Sequence, residues 1–476
     1  MTDVDLVDAI VVGTGQAAGT VVSAHRERGE RVAVLEARVP GGTCLNTGCR
    51  PTKAMRASAR VAHVARRAGD LGVTTGEVSV DIGAVVARKD RLIDGWRAGI
   101  QQWFDTDDGI DYRNTRARLV PPGPDVPAGH HVVEGADGRR VAAPRVYLIT
   151  GTRTVVPPVP GLDMVTWLDN SSILDVEEVP GHLVVLGGNY IGLEFGQMFR
   201  RFGAEVTIVE RGPRVAGREE PEISAALREV LADEGVTVHT GTAATRVEAA
   251  PGGGVVVELA DGTRVEGSHL LLAAGRRPNT DDLGLADVGV EVTDRGHVVT
   301  DDHFATSVPG ILALGDINGR GAFTHTSYQD GEIAADNLAG GSRSVAGRVI
   351  TYGIFTDPPV GRVGMTEAEV RAAGIDAAVA TYEMSRVTRA VLDGEPAGFV
   401  KILVDRTTDR FLGASIMGPS CDEVVQVVSA LIHAGATCRV LGDMLPIHPT
   451  VTEFWPTILK SLRPLDPTPA ERRDEA

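Results

Sequence analysis

Lysine is nearly missing from this chain: only Lys53, Lys89, Lys401 and Lys460 stand among 47 basic residues, and the rest are arginine. Codon bias accounts for such a count, and it makes each remaining lysine worth locating. Cysteine is as scarce. Cys44, Cys49, Cys421 and Cys438 are too few to staple 476 residues into a disulfide scaffold. Aromatic residues make up 4%, too few for base-stacking platforms. The formal net charge of -17 repels phosphate-rich surfaces, so neither nucleic acid nor an anionic membrane is expected as partner. No apolar run approaches the roughly 18 residues of a membrane span, and the start MTDVDLVDAIVVG carries acids where a secretory signal needs basic residues. A soluble, cytoplasmic protein is expected, and there a close cysteine pair points to redox or metal chemistry.

What is present fits a large globular protein. The length suggests about three domains, and 43% hydrophobic residues supply their cores. Glycine is abundant, 57 residues without a collagen-like period, which implies many tight turns or close backbone approaches to ligands. Two stretches align without a gap: Gly13 to Glu36, GTGQAAGTVVSAHRERGERVAVLE, and Gly187 to Glu210, GGNYIGLEFGQMFRRFGAEVTIVE. Each follows a short apolar strand, runs through a helical pattern to a glycine, and ends in a strand closed by an acid. That is the order of a dinucleotide-binding unit, where glycines admit the pyrophosphate, the helix N-terminus faces it and the carboxylate takes ribose hydroxyls. Gly13, Gly15, Ala18 and Glu36 form the first set; Gly187, Gly192 and Glu210 form the second, with Asn189 at the middle glycine. Asn tolerates positive φ better than most residues, but its side chain would crowd a pyrophosphate. Two such units imply FAD on one and a nicotinamide nucleotide on the other.

Between the units, residues 50–115 read as largely helical, and VVVELADGTRVEG as a hairpin. Thr150-Gly151-Thr152 and Ala274-Gly275-Arg276 each follow an apolar strand and mark domain crossings. A helix is expected from about Ser327 to Leu338, then strands FVKILVD and FLGASIMG and the helix DEVVQVVSALIHAG.

The segment GGTCLNTGCRPTK holds Cys44 and Cys49. Five residues of regular helix rise about 7.5 Å, whereas a disulfide needs Cα atoms about 4.4–6.8 Å apart. Bridging the pair therefore requires a distorted turn, which Gly48 eases. Pro51 suits a helix start, and Cys49 near that N-terminus would gain thiolate character. A metal site would need further ligands at close spacing, and none are nearby.

With these residues the chain resembles the class I pyridine nucleotide–disulfide oxidoreductases, which include glutathione reductase, dihydrolipoamide dehydrogenase and mercuric reductase. GGNYIGLE resembles the second nucleotide motif, ATSVPGILALGDI the second FAD motif and HPTVTE the C-terminal catalytic motif. FTHTSYQD, FTDPPVGRVGMTE and MSRVTRAVLDGEPAGFVKILVD resemble the mercuric-reductase-like branch that contains a reactive-chlorine-resistance flavoprotein. The resemblance implies an α/β fold with two Rossmann-like domains plus a C-terminal α+β dimerisation domain. The FAD domain would be discontinuous, 1–153 and 278–347, with the NAD(P) domain at 154–277, the dimerisation domain at 348–463 and a disordered tail at 464–476.

The resemblance also assigns roles. Cys49 would form the charge-transfer complex with flavin, and Cys44 would attack substrate. Lys53 would approach flavin N5 and pair with Glu194. Tyr190 would cover the nicotinamide site, and Asp316 would bind the ribityl chain, with Thr43, Thr150, Gly151 and Gly315 beside FAD. Gly275 joins the nucleotide side. His448 and Glu453 would be an acid–base pair supplied across a homodimer, and the His448–Pro449 bond would be cis. Thiol–disulfide exchange needs such a group to accept and return a proton. His325, Thr326 and Tyr328 lie beside the flavin or merely start a helix, and Cys421 and Cys438 are read as packing residues.

Mercuric reductases carry a further C-terminal cysteine pair for Hg(II); SLRPLDPTPAERRDEA has none and no metal-binding domain precedes the first motif, so efficient mercury reduction is not expected. Glu210 favours NADH, while Arg211 and Arg214 could receive the 2′-phosphate of NADPH. The expected function is an NAD(P)H:acceptor oxidoreductase reducing a small disulfide, a metal ion or another oxidant, with no metal cofactor. Its rivals are a dihydrolipoamide dehydrogenase and a flavin-bound redox-sensing or interaction protein.

Overall fold

Both repeat segments fold as strand, glycine turn, helix and strand, and each strand pair nucleates a parallel sheet. The computed structural model describes residues 4–466. The first sheet has five parallel strands in the order Ile311–Ala313, Val146–Leu148, Ala9–Val12, Val32–Glu36 and Ile110–Asn114. The second has four parallel strands, Thr237–Thr240, Glu205–Glu210, His182–Leu186 and His269–Leu272. Their apolar runs are buried on both faces, as a parallel sheet covered by helices requires.

The glycine turns are built alike. Gly13 has φ 92°, and a Cβ there would lie 2.6 Å from Ile149 O; Gly187 has φ 120°, and a Cβ would lie 2.3 Å from Ala273 O. In both units the first glycine thus lets the turn pass over the end of the neighbouring strand. Asn189 has φ -100°, so no positive φ is demanded of it, and its Oδ1 accepts from the Tyr190 N–H at 2.9 Å.

Strands Thr152–Thr154 and Arg276–Pro278 pair antiparallel, so the chain leaves and re-enters the first unit side by side. The VVVELADGTRVEG segment forms the antiparallel pair Val255–Leu259 and Arg264–Gly267. Residues 50–115 are helical at Cys49–Arg66 and Ile82–Thr106, but Ile110–Asn114 is a strand, since its hydrogen bonds extend the sheet beside Val32–Glu36. The helix expected from Ser327 begins earlier, at Thr324, and ends at Leu338.

The last third builds a six-stranded antiparallel sheet: Thr351–Ile354, Val360–Gly364, Phe411–Met417, Phe399–Asp405, Ala377–Glu383 and Arg463–Pro464. The helix Cys421–His433 packs on it around Trp455, Phe454 and Val428. Cys421 and Cys438 belong to this core, and burial pushes both thiols up. The tail expected at 464–476 starts in order: Pro464 pairs with Ala378, and the Leu465 N–H donates to Ala377 O at 2.8 Å. Residues 467–476 lie outside the described residues. Among the described residues no helix is long and apolar enough to cross a membrane.

Candidate active site

The two cysteines stand on either side of a helix break. A short helix, Gly42–Asn46, carries Cys44; Thr47 and Gly48 leave helical geometry, and a new helix starts at Cys49. That break is the distortion the spacing demands. A Cβ at Gly48 would meet Thr43 O at 2.9 Å, so the fold there needs glycine. Both cysteines are free, and each sets the acidity of the other.

Their electrostatics diverge. The Cys44 hydrogen bond brings the Cys49 thiol down to about 6 against the opposing effect of burial, with help from Thr324 Oγ1 at 3.0 Å and the Lys53 charge. Cys49 also opens its helix, where unpaired N–H groups favour an anion. Cys44 is pushed up by the same hydrogen bond and by burial. One thiol of the pair is therefore a thiolate at neutral pH and the other needs a base.

Lys53, one turn further along the helix, places Nζ 2.8 Å from Glu194 Oε2. The other Glu194 oxygen accepts the Phe355 N–H at 2.9 Å, and Lys53 Nζ lies 4.2 Å from the Phe355 ring centroid. Glu194 is buried on the helix Tyr190–Phe202. Tyr190 opens that helix against Phe323, their ring centroids 5.8 Å apart, and Phe323 stacks on Tyr352 at 4.7 Å. Burial raises the Tyr190 hydroxyl to about 12, so it stays protonated.

The residues named around the first nucleotide unit converge. The Thr14 N–H and Oγ1 donate to Glu36 Oε2 at 2.9 and 2.6 Å. Thr150 Oγ1 donates to Asn279 O, Asn279 N–H donates to Gly151 O, and Gly315 N–H donates to Asp330 Oδ2. Asp316 Oδ2 accepts from Thr152 Oγ1 at 3.0 Å, and burial raises its carboxyl. Thr43 is exposed on the cysteine loop. In the second unit Gly188 N–H and Gly212 N–H hold the two oxygens of Glu210 at 2.7 and 2.6 Å. Gly192 lies in the following helix, and Gly275 O accepts the Val155 N–H. Arg211 is exposed, whereas Arg214 turns its guanidinium to the carbonyls of Gly217 and Glu219.

His448 and Glu453 form a separate cluster. His448 Nδ1 and Glu453 Oε2 are 2.8 Å apart, and the Thr450 N–H donates to the same oxygen. Burial would raise the Glu453 carboxyl, but hydrogen bonds from Thr388, Thr450 and His448 hold it below its ordinary value. The His448 side chain is 70% exposed, and a cavity of about 300 Å³ beside it is lined by Arg386, Thr388 and Glu453 but by no residue of the cysteine loop. The His448–Pro449 bond is cis.

Sequence reasoning missed Thr324 and Phe355. Thr324, not Thr326, meets Cys49; Thr326 Oγ1 caps its helix on Phe323, and His325 Nε2 is 2.5 Å from Thr351 O. Tyr328 is half exposed. The only signal for Thr324 was its place in FTHTSYQD, and Phe355 acts through a backbone N–H that no side-chain pattern announces.

Comparison with known proteins decides the family. Residues 7–331 match the model of the pyridine nucleotide-disulphide oxidoreductases, and residues 350–458 match the dimerisation domain of that family. The chain belongs to the pyridine nucleotide-disulphide oxidoreductase family. The mercuric reductase of Streptomyces lividans is 34% identical over 94% of this chain and 93% of its own length. The dihydrolipoyl dehydrogenase of Halobacterium salinarum is 33% identical over 94% of each. The HOCl-induced flavoprotein disulfide reductase RclA from Escherichia coli superposes with a TM-score of 0.86 at 30% identity, covering 95% of this chain and 99% of that one. The protein is thus an FAD-dependent oxidoreductase of this disulphide oxidoreductase family that uses NADH or NADPH. The dimerisation domain supports a homodimer.

The residues present fit both groups. The helix Gln16–Glu27 opens at Gly15 with no side-chain cap and no acid in its first turn, and a cavity of about 520 Å³ faces Thr14, Gly15 and Gln16, as a pyrophosphate needs. The half-buried Asp316 carboxyl offers an acceptor to a ribityl hydroxyl. In the second unit the N–H groups of Gly188 and Gly212 fix Glu210, while Asn189 caps the helix itself.

Proposed function

We propose that the chain works in the cytoplasm as a homodimeric reductase of small disulfides, with Cys44 and Cys49 as its redox pair. The FAD domain is taken as 1–153 with 278–347, the nucleotide domain as 154–277 and the dimerisation domain as 348–463. The observation that carries this reading is the unequal thiol pair: Cys49 held as thiolate by Cys44, Thr324 and Lys53, and Cys44 held as thiol.

FAD, which Thr14, Gly15 and Asp316 would hold, would supply the two-electron chemistry that links the nicotinamide nucleotide to the Cys44–Cys49 pair. Lys53, fixed by Glu194, supplies a positive charge beside Cys49. Tyr190, protonated and backed by Phe323, covers the nicotinamide face. Cys44 gives up its proton to His448 of the partner subunit and attacks one sulfur of the acceptor, and the leaving thiolate takes a proton back. Cys49 then attacks the Cys44 sulfur, the second thiolate leaves and takes up a proton from solvent, and the Cys44–Cys49 disulfide is restored. The balance is NADH, one proton and RSSR giving NAD⁺ and two RSH. Glu453 orients His448 through Nδ1, which leaves Nε2 for the proton.

Exposed Leu445 and Ile447 beside His448 support a partner surface there. NADH is the donor favoured by Glu210, whose carboxylate would repel a 2′-phosphate, and Arg214 is engaged by backbone carbonyls. Mercury reduction is not proposed, since neither of the two other cysteines is available: both are buried in the dimerisation core. The test is turnover of small disulfides with NADH, which Cys44→Ser should abolish while flavin reduction by NADH continues. Disulfide turnover surviving in Cys44→Ser would reject the relay.

A further inference from the structure

Aromatic rings are scarce in this chain, yet three of them meet in one stack. Tyr190, at the start of the helix Tyr190–Phe202, lies 5.8 Å from Phe323, which stacks on Tyr352 at 4.7 Å with 11° between the ring planes. His325 stacks on the Phe323 ring as well, at 5.6 Å, and its Nε2 meets the carbonyl of Thr351, next to Tyr352. The three rings come from distant parts of the chain: the nucleotide unit, the start of the helix Thr324–Leu338 and the strand Thr351–Ile354.

The far end of the stack is tied down. Tyr352 Oη donates to Glu219 Oε1, and Arg362 Nη1 donates to Tyr352 Oη at 2.9 Å. Arg362 is the cross-strand neighbour of Tyr352, its guanidinium 5.6 Å from the ring centroid, and it also donates to Arg218 O at 3.0 Å. Glu219 and Arg362 are 4% and 5% exposed, so the tether is buried. The second oxygen of Glu219 takes no hydrogen bond among the described residues. Burial raises the Glu219 carboxyl, and burial together with that acid pushes the Tyr352 hydroxyl up, so Tyr352 stays the donor. An apolar contact would fill the same space without burying an acid. What the acid adds is a fixed direction for the Tyr352 ring.

We propose that Tyr352 is a positioning residue for the nicotinamide side of the reaction: held by Glu219 and Arg362, it fixes Phe323, and Phe323 fixes the ring of Tyr190. This rests on the reading that Tyr190 covers the nicotinamide face, and adds what holds it there. A ring that is already ordered costs little more to order when NADH docks. Loosening the stack therefore opens the flavin side of the resting enzyme to solvent and weakens NADH, while hydride transfer from bound NADH keeps its rate.

The test uses the FAD-loaded dimer with two readouts: iodide quenching of flavin fluorescence without NADH, and anaerobic stopped-flow reduction over a range of NADH concentrations. In Tyr352→Leu the quenching constant should rise about twofold or more. The NADH concentration for half-maximal reduction should rise about 3–10-fold, with the limiting rate within about twofold of wild type. Tyr352→Phe keeps the ring without its tether and should fall between. Glu219→Gln, whose amide carbonyl still accepts from Tyr352, should recover most of the loss seen in Glu219→Ala. Tyr190→Leu combined with Tyr352→Leu should match Tyr190→Leu alone, because Tyr352 acts through Tyr190. Additive losses in that pair, or both readouts unmoved in the two Tyr352 variants, overturn the inference. Should Tyr352→Leu not retain FAD, Tyr352→Phe and the two Glu219 variants decide it, since they leave the stacked ring in place. Failure of the underlying reading looks different: Tyr190→Leu would itself leave both readouts at their wild-type values.

Discussion

Glu194 divides its carboxylate between two parts of the chain: one oxygen takes Lys53 Nζ at 2.8 Å and the other takes the Phe355 N–H at 2.9 Å. The buried acid thereby fixes the ammonium that stands beside Cys49, and it ties the helix Tyr190–Phe202 to the entrance of the C-terminal sheet. Lys53→Met leaves that acid buried with one partner and removes the charge next to the thiolate. Flavin reduction by NADH, followed by stopped flow, should slow about 10–100-fold. A rate within twofold of wild type would mean that the pair is only structural.

Cys49 titrates near 6 because Cys44 donates to it, so the thiolate is present above that pH and is lost as pH falls through it. In the two-electron-reduced enzyme the charge-transfer absorbance should fade with a midpoint near 6. Cys44→Ala removes the largest stabilising contact, and the midpoint of the remaining band should rise towards the ordinary thiol range. An unmoved midpoint would assign the depression to the helix terminus and Lys53 instead.

Glu453 stays ionised through neutral pH, because its hydrogen bonds hold it below the ordinary carboxylate value. Glu453→Gln should lower kcat for disulfide reduction about 10–100-fold while leaving NADH-dependent flavin reduction unchanged. Equal losses in both half-reactions would contradict its assignment to the acceptor side.

Arg201 and Asp357 form a buried ion pair, and Glu234 and Gln197 complete its hydrogen bonds. Burial would raise the Asp357 carboxyl, but Arg201, Arg60 and Arg56 hold it down. Its contribution is present above the ordinary carboxylate range and is lost as pH falls through the depressed value. Asp357→Asn should cost about 1–3 kcal/mol, because Arg201 keeps Glu234 but its buried Nη1 loses a charged acceptor. Urea denaturation checks the figure, and a loss below 1 kcal/mol would show that the network relaxes.

The strand–turn–helix repeat was readable because each unit needs glycine where the backbone crosses a strand end, as at Gly13 and Gly187. The cysteine loop was readable for the same reason, Gly48 being fixed by Thr43 O. Three things were not. Ile110–Asn114 follows a long amphipathic helix and has little alternation of its own; its strand character comes from Val32–Glu36 alongside. Thr324 meets Cys49 across 275 positions, a pairing no spacing rule reaches. The Arg201–Asp357 pair joins a helix to a loop through geometry set only when the sheets have packed.

The central claim is that Cys49 is the thiolate of a redox pair electronically coupled to flavin, and anaerobic titration of the FAD-loaded protein with NADH tests it most directly. The account predicts a long-wavelength charge-transfer band at two electrons per flavin, absent in Cys49→Ser. Full bleaching of the flavin at two electrons with no such band in the wild type would contradict it.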